Sequence, residues 1–187
     1  LWYMAYNAVT TAISRYALHL WGEKSGMYTY CIMLAMVVAI ISYVPIGILA
    51  SKIGRKKTIL GGVALMTVCY AIAIMSTSFA WWLLVPFAFI GFGWAAINVN
   101  SYPMVVAMSR GSDIGKYTGL YYTFSMSAQV ITPILSGFLL EHISYRTLFP
   151  YAVVFSTLSF CTMLMVKHGD VKPLKKQSVL ENFDVED

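Results

Sequence analysis

Charge is scarce in this chain. Only 11% of its 187 residues are Asp, Glu, Lys or Arg, against about a quarter in ordinary soluble domains. Hydrophobic residues make up 59%, and the mean hydropathy is +0.69. A water-soluble fold has no interior large enough to hide that much apolar surface, so the composition points to a membrane protein. Acidic residues are the scarcest, 8 against 13 Lys plus Arg. None lies in the middle of an apolar run: Glu23 and Glu141 fall at run ends and Asp113 in a loop. Cys31, Cys69 and Cys161 sit inside apolar runs with no C-x-x-C spacing. That excludes a zinc site and reads as small apolar packing residues. No H-E-x-x-H or G-x-S-x-G occurs, and His19, His142 and His168 all lie near run ends. The chain therefore lacks the clustered groups of an intramembrane enzyme, and neither cofactor nor metal is expected. It opens at Leu1 in the apolar stretch LWYMAYNAV, without the charged region or cleavage site of a signal peptide. A fragment whose amino-terminal part is missing is the expectation.

What the chain has is long apolar runs. A helix needs about 20 apolar residues to cross the hydrocarbon core. Such runs fall near 1–20, 28–50, 58–77, 80–108, 117–140 and 147–166, separated by WGEKSG, SKIGRKK, STSF, SRGSDIGK and EHISYR. Continuous runs rather than alternation predict helices and argue against a β-barrel. The expected fold is an all-α membrane bundle of six transmembrane helices over 1–166, followed by a polar tail over 167–187. Lys52, Arg55, Lys56, Lys57, Arg110 and Lys116 lie on one side, joined by Lys167, Lys172, Lys175 and Lys176 of the tail. The opposite loops hold only Lys24 and Arg146. Under the positive-inside rule the lysine-rich side and the tail are cytoplasmic, and six crossings satisfy the parity. The net charge of +5 is then a topology signal. A nucleic-acid surface would need aromatics interleaved with cations on a soluble face, and none is present.

The segment GILASKIGRKK, residues 47–57, resembles the major facilitator superfamily signature G-x-x-x-D-R-x-G-R-R. Gly47, Lys52, Gly54, Arg55 and Lys56 match it, and Ser51 replaces the usual Asp. Physically, Gly47 suits close helix approach, Gly54 a turn, and the cations the membrane surface and carbonyl ends of helices. The substitution at Ser51 removes the carboxylate that would clamp a helix terminus of the opposite half. AQVITPILSGFLLE, with Pro133 and Gly137, is similar to the family's Gly-Pro helix, and SYRTLFPY to its Gly-Trp-Arg-x-x-Phe loop. YTGLYYTFS and MAYNAVTTAISRY most resemble bacterial carriers related to sugar–cation symporters. The resemblance implies the carboxy-terminal half of a twelve-helix carrier, its partner a missing amino-terminal six-helix half, with the solute held between the halves.

Polar residues in a span should face the bundle or a wet cavity. Asn7, Thr10, Thr11 and Ser14 form one stripe in the first run; Trp94, Asn98, Ser101 and Tyr102 another in the fourth. Thr118, Tyr122, Ser125, Gln129, Thr132 and Ser136 form a third in the fifth. By the resemblance these three helices line the central cavity. Serine and threonine can bond their own i−4 carbonyls, whereas an amide has more bonding sites than one carbonyl fills. Asn7, Thr11, Trp94, Asn98, Tyr122 and Gln129 are thus the candidate solute contacts, with Gly47, Lys52, Gly54, Arg55 and Lys56 as the gating motif. Gly91, Gly93 and Gly137 should admit close helix contact, and Pro45, Pro103 and Pro133 interrupt helical bonding. Arg15 is expected to reach the headgroups, with His19 one turn further out; pairing with a carboxylate across the cavity is the alternative. The expected function is alternating-access transport of a small polar solute such as a sugar, coupled to H+ or Na+, in a bacterial plasma membrane. A drug or amphipathic-solute carrier and a non-transporting receptor or assembly module are the alternatives.

Overall fold

Gly54 shows how little chain is needed to turn in this molecule. Its φ of 100° lies in a region open to glycine and strained for other residues. That single residue reverses the path between α2 (Tyr28–Ile53) and α3 (Arg55–Ile74). The Gly54 amide bonds the Ala50 carbonyl at 3.0 Å, and the Gly54 carbonyl accepts from the Thr58 amide at 3.2 Å and hydroxyl at 2.9 Å. The polar segment 51–57, expected as a loop, is therefore helical except at Gly54. The computed structural model describes residues 1–109, 113–167 and 169. Arg110, His168 and the expected polar tail beyond it, Gly169 excepted, lie outside the described residues.

The remaining helices are α1 (Trp2–Leu20), α4 (Leu84–Ala107), α5 (Ile114–His142) and α6 (Leu148–Met165). Short 3-10 turns at Gly22–Met27, Trp81–Leu83 and Tyr145–Thr147 lead into α2, α4 and α6. No strand occurs among the described residues. Five helical stretches, α2 to α6 with their lead-in turns, are long and apolar enough to cross a membrane. The first, α1, falls below that measure because Asn7, Thr10, Thr11, Ser14, Arg15 and His19 interrupt it. Val44, Ile41, Phe124 and Ile134 are among many large apolar side chains left exposed, as suits a lipid-facing surface.

The packing order is α2 on α4, α4 on α3, α3 on α6, α6 on α1 and α1 on α5. Exchanging α1–α3 with α4–α6 maps this order onto itself. Each triplet has an odd number of helices, so the second enters from the opposite side: an inverted repeat. Lipid supplies no hydrophobic drive between helices, so contact depends on small residues and close fit. A Cβ on Gly91 of α4 would strike the Ala35 carbonyl of α2, and one on Gly62 would lie 2.8 Å from the Gly93 carbonyl oxygen. Gly47 is different: its Cβ would sit 3.8 Å from Val99 Cγ1, an ordinary contact. The intimate α2–α4 approach is made at Gly91 instead.

Ile13 and Tyr16, Met66 and Tyr70, Phe87 and Ile90, and Leu148 and Phe149 fill the core where α1, α3, α4 and α6 meet. The Tyr16 hydroxyl donates to the Ser76 carbonyl at 2.6 Å, tying α1 to the segment after α3. Cys31 and Cys69 are buried as packing residues, whereas Cys161 is exposed on α6.

Candidate functional site

Three polar stripes meet where α1, α4 and α5 run together. On α1 the side chains first satisfy the helix itself: Asn7 Nδ2 donates to the Tyr3 carbonyl at 2.8 Å, Thr10 to Tyr6 at 3.1 Å, and Thr11 to Asn7 at 2.6 Å. On α4, Asn98 Nδ2 donates to the Trp94 carbonyl at 3.1 Å. On α5, Ser125 donates to the Tyr122 carbonyl at 3.1 Å and Gln129 Nε2 lies 3.8 Å from Met126 Sδ. One carbonyl uses one of an amide's bonding sites. Among the described residues, the side-chain oxygens of Asn7 and Asn98, both half-buried, accept no hydrogen bond.

Aromatic side chains bridge the stripes. Tyr6 of α1 stacks on Trp94 of α4 with centroids 3.7 Å apart and planes at 5°. Tyr3 meets the same indole edge-on at 5.4 Å. The Tyr3 and Tyr121 hydroxyls are 2.7 Å apart, and Tyr121 reaches Ser101 Oγ at 2.9 Å. This hydroxyl chain links α1, α5 and α4 in turn. Beside it, Tyr102 and Thr118 share a hydrogen bond of 3.3 Å, and Tyr102, Tyr121 and Tyr122 form a triangle of rings with centroids 5.5 to 5.9 Å apart. None of these side chains belongs to Asp, Glu, Lys, Arg or His. The cluster therefore offers flat faces, hydroxyls and amide oxygens, a set suited to a neutral organic solute.

Among the expected contacts, the structure brings Asn7 and Trp94 into this neighbourhood through Tyr3 and Tyr6, and Tyr122 through Tyr102. Trp94 presents one face to Tyr6. Thr11 and Tyr122 are exposed, and Gln129 makes no described bond to α1 or α4. Within the third stripe, Ser125, Thr132 and Ser136 are buried. Tyr3, Tyr6 and Tyr121 escaped the sequence reading. Tyr3 extends the α1 stripe by one turn, and Tyr121, three residues after Thr118 and four before Ser125, fits the α5 stripe as well as Tyr122 does, so both were detectable.

At the other end of α1, Arg15 Nη1 lies 2.8 Å from Glu141 Oε1 of α5. The described contact of Arg15 is thus with a carboxylate, the alternative expected beside reach to the headgroups. His19 stacks on Tyr145 at 3.7 Å rather than standing alone.

The signature-like segment 47–57 sits at the α1-start side of the bundle. Arg55 Nη1 donates to the Pro103 carbonyl near the C-terminus of α4 at 3.1 Å. Lys56 Nζ donates to the Leu164 and Val166 carbonyls at the end of α6, at 3.0 and 2.6 Å. Cations thus meet the negative ends of two helix dipoles. Lys52 is exposed, and Ser51 Oγ turns back onto the Ile48 carbonyl at 2.6 Å.

Residues 1–183 match the family model of the Major Facilitator Superfamily. A segment of 115 residues is 25% identical to the Chloramphenicol resistance protein CraA of Acinetobacter baumannii. The match covers 62% of this chain and 28% of that protein's length.

Proposed function

We propose, from the premise that this chain belongs to the Major Facilitator Superfamily and is an integral multi-pass membrane protein, that it forms a six-helix half of a secondary carrier for a neutral amphipathic organic solute. The observation that carries this reading is the uncharged cluster of Tyr3, Tyr6, Trp94, Ser101 and Tyr121, where hydroxyls and stacked rings join α1, α4 and α5. Planar rings take an aromatic or alkyl body, and hydroxyl and amide groups orient its polar atoms. The name of the Acinetobacter relative, a resistance protein against a neutral aromatic amide, agrees with that solute class.

Thr11, Arg15 and Tyr122 are polar and exposed on α1 and α5. Such groups belong against a wet cavity rather than lipid, which supports a second six-helix unit facing them. The two halves would rock about a solute held near the midplane. Arg55 and Lys56, gripping the ends of α4 and α6, would carry the motion of α3 to those helices. The lysine-rich side and the tail are assigned to the cytoplasm of a bacterial plasma membrane. Coupling to H+ or Na+ would fall on Glu141 or on carboxylates elsewhere in the carrier. Chemistry on the solute has no part in this reading.

A sugar is the second candidate solute, favoured by the same tyrosine and amide groups, since hydroxyl-rich rings also stack on aromatic planes. One experiment separates them. The full-length protein is produced in a susceptible bacterium, and chloramphenicol efflux and labelled hexose uptake are measured side by side. Drug efflux that falls in Asn98→Ala or Gln129→Ala, with membrane levels unchanged, supports the amphipath reading. Hexose uptake without drug efflux would transfer the assignment to the sugar. Absence of flux of either kind would favour a non-transporting receptor or assembly module.

A further inference from the structure

The polar side chains of the α1 and α4 stripes share a habit that fixes what they can still bind. A helix carbonyl only accepts, so a side chain that bonds the carbonyl one turn back must spend a hydrogen on it. Thr10 and Thr11 spend their hydroxyl hydrogens in this way, on the Tyr6 and Asn7 carbonyls. Asn7 and Asn98 each spend an amide hydrogen, on the Tyr3 and Trp94 carbonyls. That bond fixes which arm of the planar amide is nitrogen, and the oxygen stands on the other arm. The hydroxyls of Tyr3, Tyr121 and Ser101 are three joined by two bonds, which leaves a single hydrogen over.

The remaining capacity is lopsided. Each threonine oxygen keeps lone pairs alone, and each amide keeps one N–H beside the two lone pairs of its oxygen. Asn7 directly follows Tyr6, and Asn98 lies one turn from Trp94, so both amides border the Tyr6–Trp94 stack. Asn7, Thr10 and Asn98 are half-buried and Thr11 is exposed, so none of these side chains is sealed inside the bundle. Ser14 and Arg15 lie about two turns beyond Asn7, and Arg15 is turned to Glu141. Around the stack, therefore, α1 and α4 offer acceptors in excess of donors.

We propose, resting on the reading of this cluster as the solute site, that the α1–α4 face selects its solute by hydrogen-bond donors. An O–H or N–H of the solute meets the Asn7 and Asn98 oxygens while its apolar body lies against the rings. A solute of the same shape without that donor leaves the two oxygens unpaired once water is displaced, and an unpaired acceptor keeps its desolvation penalty.

Chloramphenicol, which carries alcohol and amide donors, is the probe, paired with the analogue in which fluorine replaces both hydroxyls. Fluorine keeps nearly the same size and removes the donor. Each compound, radiolabelled, is titrated against full-length protein in nanodiscs, with empty nanodiscs subtracted to remove partition into lipid. The fluorinated analogue should bind about tenfold more weakly, or worse. In Asn7→Ala and Asn98→Ala the alcohol should lose affinity while the analogue changes little, so that the ratio shrinks toward one. A merely structural role would weaken both ligands alike; a ratio unchanged in both variants would overturn the assignment to these amides. Equal binding of the two ligands to wild type would overturn donor selection and leave the amphipath reading standing. Binding of neither would remove that reading, and the proposal with it. The wild-type comparison needs no variant, so it holds even if an alanine protein misfolds.

Discussion

Arg15 Nη1 and Glu141 Oε1 stand 2.8 Å apart, 126 residues distant in the chain, and tie α1 to the far end of α5. At the opposite end of the same two helices, the Tyr3 and Tyr121 hydroxyls are joined at 2.7 Å. The pair of helices is thus latched at both ends, by an ion pair on one side and neutral hydroxyls on the other.

The ion pair is half exposed, its side chains 58% and 52% accessible. Pairs of that kind contribute about 0–1 kcal/mol. Glu141→Gln is accordingly predicted to leave thermal stability within about 1 kcal/mol of wild type while changing the rate of the transport cycle. A double-mutant cycle of Arg15→Gln with Glu141→Gln, read in flux, should show non-additive effects. Additive effects would mean that the two residues act separately.

Tyr121→Phe removes the hydroxyl shared by Tyr3 and Ser101. Interhelical hydrogen bonds in membranes contribute about 0.6 kcal/mol each, so the loss in stability is predicted at about 1 kcal/mol. A larger effect is expected on solute handling, seen as a KM raised several-fold with membrane insertion unchanged. An unchanged KM would remove the hydroxyl chain from the solute site.

Gly91→Ala and Gly47→Ala form a paired test of where α2 and α4 need glycine. The methyl at 91 would strike the Ala35 backbone carbonyl, which cannot move aside as a flexible side chain could; the methyl at 47 meets Val99 at an ordinary 3.8 Å. Overpacking of this kind costs about 1–3 kcal/mol or more. Gly91→Ala should reduce the monodisperse, detergent-extractable protein severely, whereas Gly47→Ala should behave as wild type. The reverse order would refute the packing described for α2 and α4.

Arg55→Ala breaks the bond to the Pro103 carbonyl. Because a cation at a helix C-terminus contributes about 0.3–1 kcal/mol, folding should survive. Turnover is predicted to slow several-fold with equilibrium solute affinity nearly intact, and Arg55→Lys should recover part of the rate. A loss confined to affinity would contradict a gating role.

Much of the fold was legible because hydropathy is a local property. Each apolar run sums over residues adjacent in the chain, and bilayer thickness sets the length that counts. The lysine-rich side was readable for the same reason, as was the polar stripe of α1, since helical period alone puts Asn7, Thr11 and Ser14 on one face. Local composition also marked Gly54 as a turn.

What only the tertiary structure decided is which side chains meet across helices. The meeting of Tyr3 with Tyr121, of Arg15 with Glu141, and of Lys56 with Val166 depends on the tilt and axial register of whole helices. Those are set where Gly91 and Gly93 let α4 press against α2 and α3. Nothing near Gly47 in the chain reveals that its methyl would fit, because the opposing atom, Val99, is supplied by another helix. Spacing along one helix determines a face; only packing between helices gives that face its partner.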